Sequence, residues 1–248
     1  MIKKEEKKWK TIPFSLIYED SPLNKPVTFF FHGFMSDHKK GPMGRDESLA
    51  EMGHVVVAMD APGHGGRHKA GYQGRSDVQK QAMLIDIVIE TAHDATNLYH
   101  HLIKESIIDA ATPLIAYGVS MGGHTAFFWG KEEKDVDMVI ALLGSPSFVD
   151  FYHYKQTHYG FHADKNHQER TTRYETIDPL RYPGDLTHKK VFAATGEDDT
   201  TVPAIYAKKL SKRIDMTYVS YPTAHQTTPR MINDAHTFIK KALKEGKR

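Results

Sequence analysis

Pro113-Leu114-Ile115-Ala116-Tyr117-Gly118-Val119-Ser120-Met121-Gly122-Gly123 is the stretch that decides the fold of this chain. An apolar run ends in a G-x-S-x-G pattern, which places a serine on a sharp turn between a strand and a helix. Such a turn forces the serine into a strained backbone conformation. The residues two before and two after it must then be small. Gly118 and Gly122 satisfy that need, and Gly123 adds room. The reading predicts a buried strand up to Val119 and a helix from Gly122 to Lys131.

Outward from this point, short apolar runs recur without polar alternation. They are Val27 to Phe31, Val55 to Met59, Val139 to Leu143, Val191 to Ala194 and Met216 to Tyr221. Such runs are what strands covered on both faces look like. Between them lie helical patterns over Ser76 to Lys104, Pro203 to Arg213 and Pro229 to Lys244. The first puts Leu84, Val88, Ala92, Ala95, Tyr99 and Leu102 on one stripe, with Ser76 or Asp77 as cap. Alternation of this kind implies βαβ units and a mainly parallel sheet. Trp9 to Glu19 alternates more loosely and reads as one or two antiparallel edge strands.

The 248 residues fit one large α/β domain spanning 1–248. Hydrophobic residues make up 40% and charged residues 26%, with a net charge of +2. That bias argues for neither nucleic acid nor a membrane as partner. The basic ends, from Lys3 to Lys10 and from Lys240 to Arg248, read as solvated segments. The chain has no cysteine, so it has neither disulfides nor a thiol nucleophile. It shows no signal-peptide pattern and no apolar stretch of membrane-spanning length; a cytoplasmic location is expected.

One region breaks the rhythm. Residues 147–190 are rich in aromatics and histidines and carry no clear strand. The reading is a small helical cap over the carboxyl end of the sheet, and the plainer alternative is a surface excursion packed on the sheet edge. Phe148, Phe151 and Tyr152, together with Phe34, are the expected substrate-binding residues. His153, His158, His162 and His167 match no tight metal-ligand spacing, so no metal is expected.

Three groups fall at the carboxyl ends of predicted strands, where open α/β sheets hold their ligands. They are Ser120, Asp199 and His225, in the chain order expected of a hydrolase with a serine nucleophile. A serine hydroxyl needs a base to take its proton. Histidine titrates in the right range. A carboxylate behind the imidazole fixes its tautomer and stabilises the imidazolium. Glu197 and Asp198 compete with Asp199, which is preferred because Val202-Pro203 follows it. His236 competes with His225 but falls inside a helix. Backbone N–H groups must face the oxygen that gains charge, and Met121 and Phe34 are the expected donors. His32, His64 and His68 read as structural.

These residues resemble the α/β-hydrolase superfamily. The likeness rests on His32-Gly33-Phe34, Asp60-Ala61-Pro62-Gly63-His64-Gly65, Gly118-Val119-Ser120-Met121-Gly122, Gly196-x-x-Asp199-x-x-Val202-Pro203 and His225. Within it the chain is similar to small bacterial carboxylesterases of the prolyl-oligopeptidase-like and dienelactone-hydrolase-like group. The resemblance implies an α/β-hydrolase fold with an eight-stranded, mostly parallel sheet, a covalent acyl-enzyme intermediate, a small-molecule ester substrate and no cofactor. The chain holds no propeller-sized segment, so gating of long peptides is not expected. Thioesterase, lactonase and aminoacyl-peptidase activities share the same chemistry and stay open. So does a non-catalytic ligand-binding role on the same fold. The oligomeric state is not legible.

Overall fold

The structure, a computed structural model, describes residues 1–68, 70–161 and 167–245. In chain order the elements are β1 (Ile2–Trp9), β2 (Ile12–Glu19), β3 (Val27–Phe31), α1 (Arg45–Glu51), β4 (Val55–Met59), α2 (Ala70–Gln73), α3 (Asp77–Ala82), α4 (Leu84–Lys104) and β5 (Leu114–Val119). Then follow α5 (Met121–Glu132), β6 (Val136–Leu142), α6 (Val149–Tyr159), α7 (His167–Ile177), β7 (Lys190–Gly196), α8 (Ile205–Leu210), β8 (Thr217–Tyr221) and α9 (Pro229–Glu245).

The strands form one eight-stranded sheet in the order β1-β2-β4-β3-β5-β6-β7-β8. The pairs β1–β2 and β2–β4 are antiparallel, and β4 through β8 run parallel. This is the mostly parallel, eight-stranded α/β sheet that the alternating pattern implied. The chain steps from β3 to β4 on one side, then crosses to β5 on the other. The loops after β3 and β5 therefore diverge at a switch point, where an α/β sheet opens a crevice.

Side chains alternate between the two faces, as the strand period of two demands. Phe29 and Phe31 join the core shared with α4, α5 and α6, which includes Leu98, Trp129 and Phe151. Phe30, Ile115 and Tyr117 join the opposite core under α1 and α9, with Leu49, Met231 and Ile239. All five residues of β3 and of β4 are buried, which explains their unbroken apolar runs.

Two elements differ from the expectation. The basic N-terminus is not a loose solvated end: Ile2–Trp9 pairs along its length with β2. Lys3, Lys4 and Lys8 are exposed while Ile2, Glu5, Lys7 and Trp9 are half-buried, and a lysine-rich edge strand resists pairing with other chains. The predicted helix over Ser76 to Lys104 is two helices broken at Met83. Ser76 and Gln79 close a capping box on α3, which ends where the Met83 N–H turns back to Lys80 O at 3.2 Å. At the other end of the chain, Gly246, Lys247 and Arg248 lie outside the described residues.

A charged link ties β1 to the end of β4. Buried His38 directs Nδ1 to Asp60 Oδ1 at 2.7 Å and Nε2 to Glu6 Oε2 at 2.9 Å. Asp60 also accepts the His38 and Gly66 N–H groups. Burial opposes charge on His38, but the hydrogen bonds to Asp60 and Glu6 outweigh it and raise its pKa above the ordinary 6.5. Burial likewise works against the Glu6 carboxylate, yet bonds from His38, Ser15 and Lys39 bring it down to about 2. A raised histidine stabilises the fold fully below its unfolded pKa, and that contribution fades as pH climbs through the folded value. The Glu6 contribution is present above its unfolded pKa and is lost as pH falls toward about 2. As pH rises above the ordinary histidine value of 6.5, the thermal midpoint of the native chain is therefore expected to fall more steeply than that of His38→Gln. Parallel slopes in a calorimetric pH series would show that the link carries no charge.

Candidate functional site

Ser120 stands between β5 and α5 with φ 57° and ψ −119°, a conformation side-chain-bearing residues rarely adopt. The structure holds it there from both sides. Its N–H donates to Leu142 O at 2.8 Å, and its carbonyl accepts the His124 N–H at 3.1 Å. A Cβ on Gly118 would sit 1.8 Å from Gly122 O, and one on Gly122 would sit 2.0 Å from Phe31 O. Neither position admits a side chain, which is the physical content of the motif.

Ser120 Oγ lies 2.8 Å from His225 Nε2, and His225 Nδ1 lies 2.7 Å from Asp199 Oδ2. Both are hydrogen-bond distances. The Asp199 side chain is fully buried while His225 keeps 24% of its own exposed. Asp199 Oδ1 accepts the Thr201 and Val202 N–H groups at 2.9 and 2.8 Å. With both oxygens engaged, the carboxylate accepts a hydrogen bond from the Nδ1–H of His225 and leaves the Nε2 lone pair facing the serine hydroxyl. Glu197 and Asp198, the rival acids, are exposed. His236, the rival histidine, packs in α9 against Tyr117 with ring centroids 6.3 Å apart, on the opposite core.

The loop after β3 approaches the same point. A Cβ on Gly33 would lie 3.7 Å from Ser120 Cβ. His32 pins this loop: its Nε2 accepts the Ala61 N–H at 3.0 Å, so Nδ1 carries the proton and donates to Gly33 O at 2.7 Å. Burial pushes the His32 pKa down to about 4 and keeps the ring neutral. Phe34 and Met121 follow the two turns. Neither N–H donates to a backbone acceptor in the turns and caps among the described residues.

A cavity of about 320 Å³ opens over Ser120 and His225. Phe34 and Leu143 give it apolar walls, and Lys40 and Arg45 give it positive charge. Phe148, Phe151 and Tyr152 do not line it. They are 0%, 1% and 3% exposed and fasten α6 to the body of the protein. Phe148 meets Phe128 at 5.2 Å, Phe151 meets His124 at 4.6 Å, and Tyr152 meets Tyr174 at 5.5 Å. These aromatics belong to packing, because a segment without a sheet strand must bury its own apolar surface to stay ordered. Their helix still abuts the site's periphery: Tyr154 donates to Thr200 O, and Tyr206 of α8 donates to Asp150 O at 3.4 Å. Lys40, Arg45 and Leu143 are lining residues that sequence reasoning missed. Arg45 lies 12 positions beyond Gly33, at the start of α1, where no periodic signal marks it.

Among the described residues no group of three or more His, Asp or Glu side chains is placed to hold a metal ion; His162 lies outside those residues. Among the described residues no helix is long and apolar enough to cross a membrane.

Sheet order, serine turn and divergent loops together define an α/β hydrolase. A family model described as serine aminopeptidase, S33 matches residues 24–158, and the chain belongs to this hydrolase family. Solved structures share the fold. TT1662 from Thermus thermophilus aligns over 97% of this chain and 98% of its own, at 16% identity and a TM-score of 0.73. Est1E from Butyrivibrio proteoclasticus, solved with ferulic acid bound, aligns over 98% and 100% at 16% identity and a TM-score of 0.67. Acetyl xylan esterase 1 from Thermoanaerobacterium sp. JW/SL YS485 aligns over 96% and 86% at 18% identity and a TM-score of 0.64. No curated protein sequence matches the chain.

Proposed function

We propose that the protein is a serine hydrolase of carboxylic esters. The observation that carries this reading is the unbroken relay from Ser120 Oγ through His225 to Asp199, at 2.8 and 2.7 Å. In this reading Ser120 Oγ attacks the ester carbonyl carbon as its proton passes to His225 Nε2. The carbonyl oxygen becomes an oxyanion held by the Phe34 and Met121 N–H groups. The imidazolium, steadied by Asp199, gives its proton to the departing alcohol, and the acyl group stays on Ser120. Water then attacks the acyl-enzyme with His225 as base, and collapse releases the acid and restores the serine.

The family description also raises an aminopeptidase. Such an enzyme has to hold a substrate ammonium, for which a carboxylate is the natural partner. The residues lining the cavity include Lys40 and Arg45 and no Asp or Glu, which favours the ester reading. Two of the structural relatives named above are esterases or carry a phenolic acid ligand, which agrees with it. A panel of matched p-nitrophenyl ester, thioester and aminoacyl anilide substrates tests the choice. Turnover led by the ester is expected; an anilide with a free amine turned over fastest would replace this reading with the peptidase.

A further inference from the structure

Arg45 is an anomaly. It opens α1, it is 5% exposed, and it lines the cavity that holds Ser120 and His225. A buried guanidinium ordinarily has a carboxylate to balance it. Arg45 has none within 4 Å among the described residues. The neighbouring acid, Asp46, is 3% exposed and already taken by Lys4 Nζ at 2.9 Å. The Arg45 Nε finds no acceptor in the protein. Arg45 Nη2 donates to the thioether of Met43 at 3.9 Å, a weak acceptor. Its other neighbour is the Phe30 ring, 6.0 Å from Cζ. Burial lowers its pKa from the ordinary arginine value, with Tyr117 and Asp46 opposing, yet a guanidinium stays protonated at any working pH. Lys40 stands exposed on the same cavity, without an ion-pair partner among the described residues.

Resting on the ester-hydrolase reading, we propose that the substrate bears a carboxylate, and that Arg45, aided by Lys40 at the rim, is the residue that selects it. An uncompensated fork of N–H donors beside a small cavity matches a planar carboxylate. That ion would supply the acceptors the protein withholds. The substrate class is then a carboxylate-bearing ester: a small ester with a free carboxylate on either its acyl or its alcohol portion. A charge-matched contact at this depth is worth more than a surface ion pair, because water screens it less. Arg45 does not reach the reacting atoms in this account; it sets specificity.

Two matched pairs test this. One is p-nitrophenyl hemiglutarate against its methyl ester. The other is the butyryl ester of 4-hydroxybenzoate against that of methyl 4-hydroxybenzoate. In at least one pair the native protein is expected to favour the anionic member by about tenfold or more in kcat/KM, as a charged hydrogen bond supports. Arg45→Gln should bring that ratio down by about tenfold, whatever becomes of the absolute rates. No anionic preference in either pair, or the same ratio in Arg45→Gln, overturns the proposal. Should Arg45→Gln fail to fold, calorimetric titration of the native protein with glutarate against glutaramide decides. Binding of glutarate alone, weakened by Lys40→Gln and competitive with the ester, supports it; absence of binding refutes it. If no ester of any charge is turned over, the esterase reading fails, and the glutarate titration still judges the Arg45 site by itself.

Discussion

Ser120→Ala is expected to lower kcat for a short p-nitrophenyl ester by about 10⁴-fold or more while the protein stays folded. The size of the loss follows from the proposed chemistry. Without Oγ no acyl-enzyme forms, and what is left is the contribution of oxyanion donors and binding to direct attack by water. The fold should tolerate the change for a local reason. The turn at φ 57° is held by backbone hydrogen bonds to Leu142 and His124 and by the close approach of Gly118 and Gly122. Alanine keeps the Cβ that this geometry already accommodates. The Oγ gives up one hydrogen bond, to the partly exposed His225. Steady-state rates and the thermal midpoint together check this. Loss of activity at an unchanged midpoint is the expected pair of results, and activity within about tenfold of native would remove Ser120 from the mechanism.

Asp199→Asn is expected to cost about 10⁴-fold in kcat, again without unfolding. The amide is the same size as the carboxylate. Its oxygen can go on accepting the Thr201 and Val202 N–H groups that Oδ1 now binds. The amide NH₂ then faces His225 Nδ1 in place of the carboxylate Oδ2. Two donors cannot share that contact, so Nδ1 must give up its proton and Nε2 must carry one. The imidazole would present an N–H to the Ser120 hydroxyl and could no longer act as its base. Asp198→Asn is the control, since Asp198 is exposed beside the same strand. A loss of about tenfold or less in Asp199→Asn, or an equal loss in Asp198→Asn, would mean that Asp199 does not orient the base.

The parts of this architecture that were legible in sequence are those buried on two sides. β3, β4 and β5 lie in the middle of the sheet, and burial forces their residues to be apolar throughout. The ends of β5 and of the likewise buried β7 could therefore be located, and with them Ser120 and Asp199, whereas His225 follows the largely half-exposed edge strand β8. The edge strand β1 escaped notice because pairing with β2, rather than apolar burial, holds its lysine-rich sequence in place. The break at Met83 escaped because Met83 is itself apolar and the helical stripe runs through it unbroken. Only the Ser76–Gln79 box and the backbone bond to Lys80 mark the end of α3.

Within the candidate site, composition could not separate aromatics that line a cavity from aromatics that fill a core. Phe34 lines the cavity, whereas Phe148, Phe151 and Tyr152 pack beneath α6. Arg45 carries no sequence signal at all. One arginine in a polar loop looks like a surface charge until the fold buries it and gives its expected partner, Asp46, to Lys4.

The most direct test of the central claim is covalent. A fluorophosphonate reacts with an activated serine and mimics the tetrahedral intermediate, so the native protein treated with such a probe should gain one adduct, mapped by peptide mass spectrometry to Ser120. The adduct should be absent from Ser120→Ala and strongly slowed in Asp199→Asn. A native protein that turns over ester yet carries no adduct at Ser120, or carries it on another residue, would contradict the account.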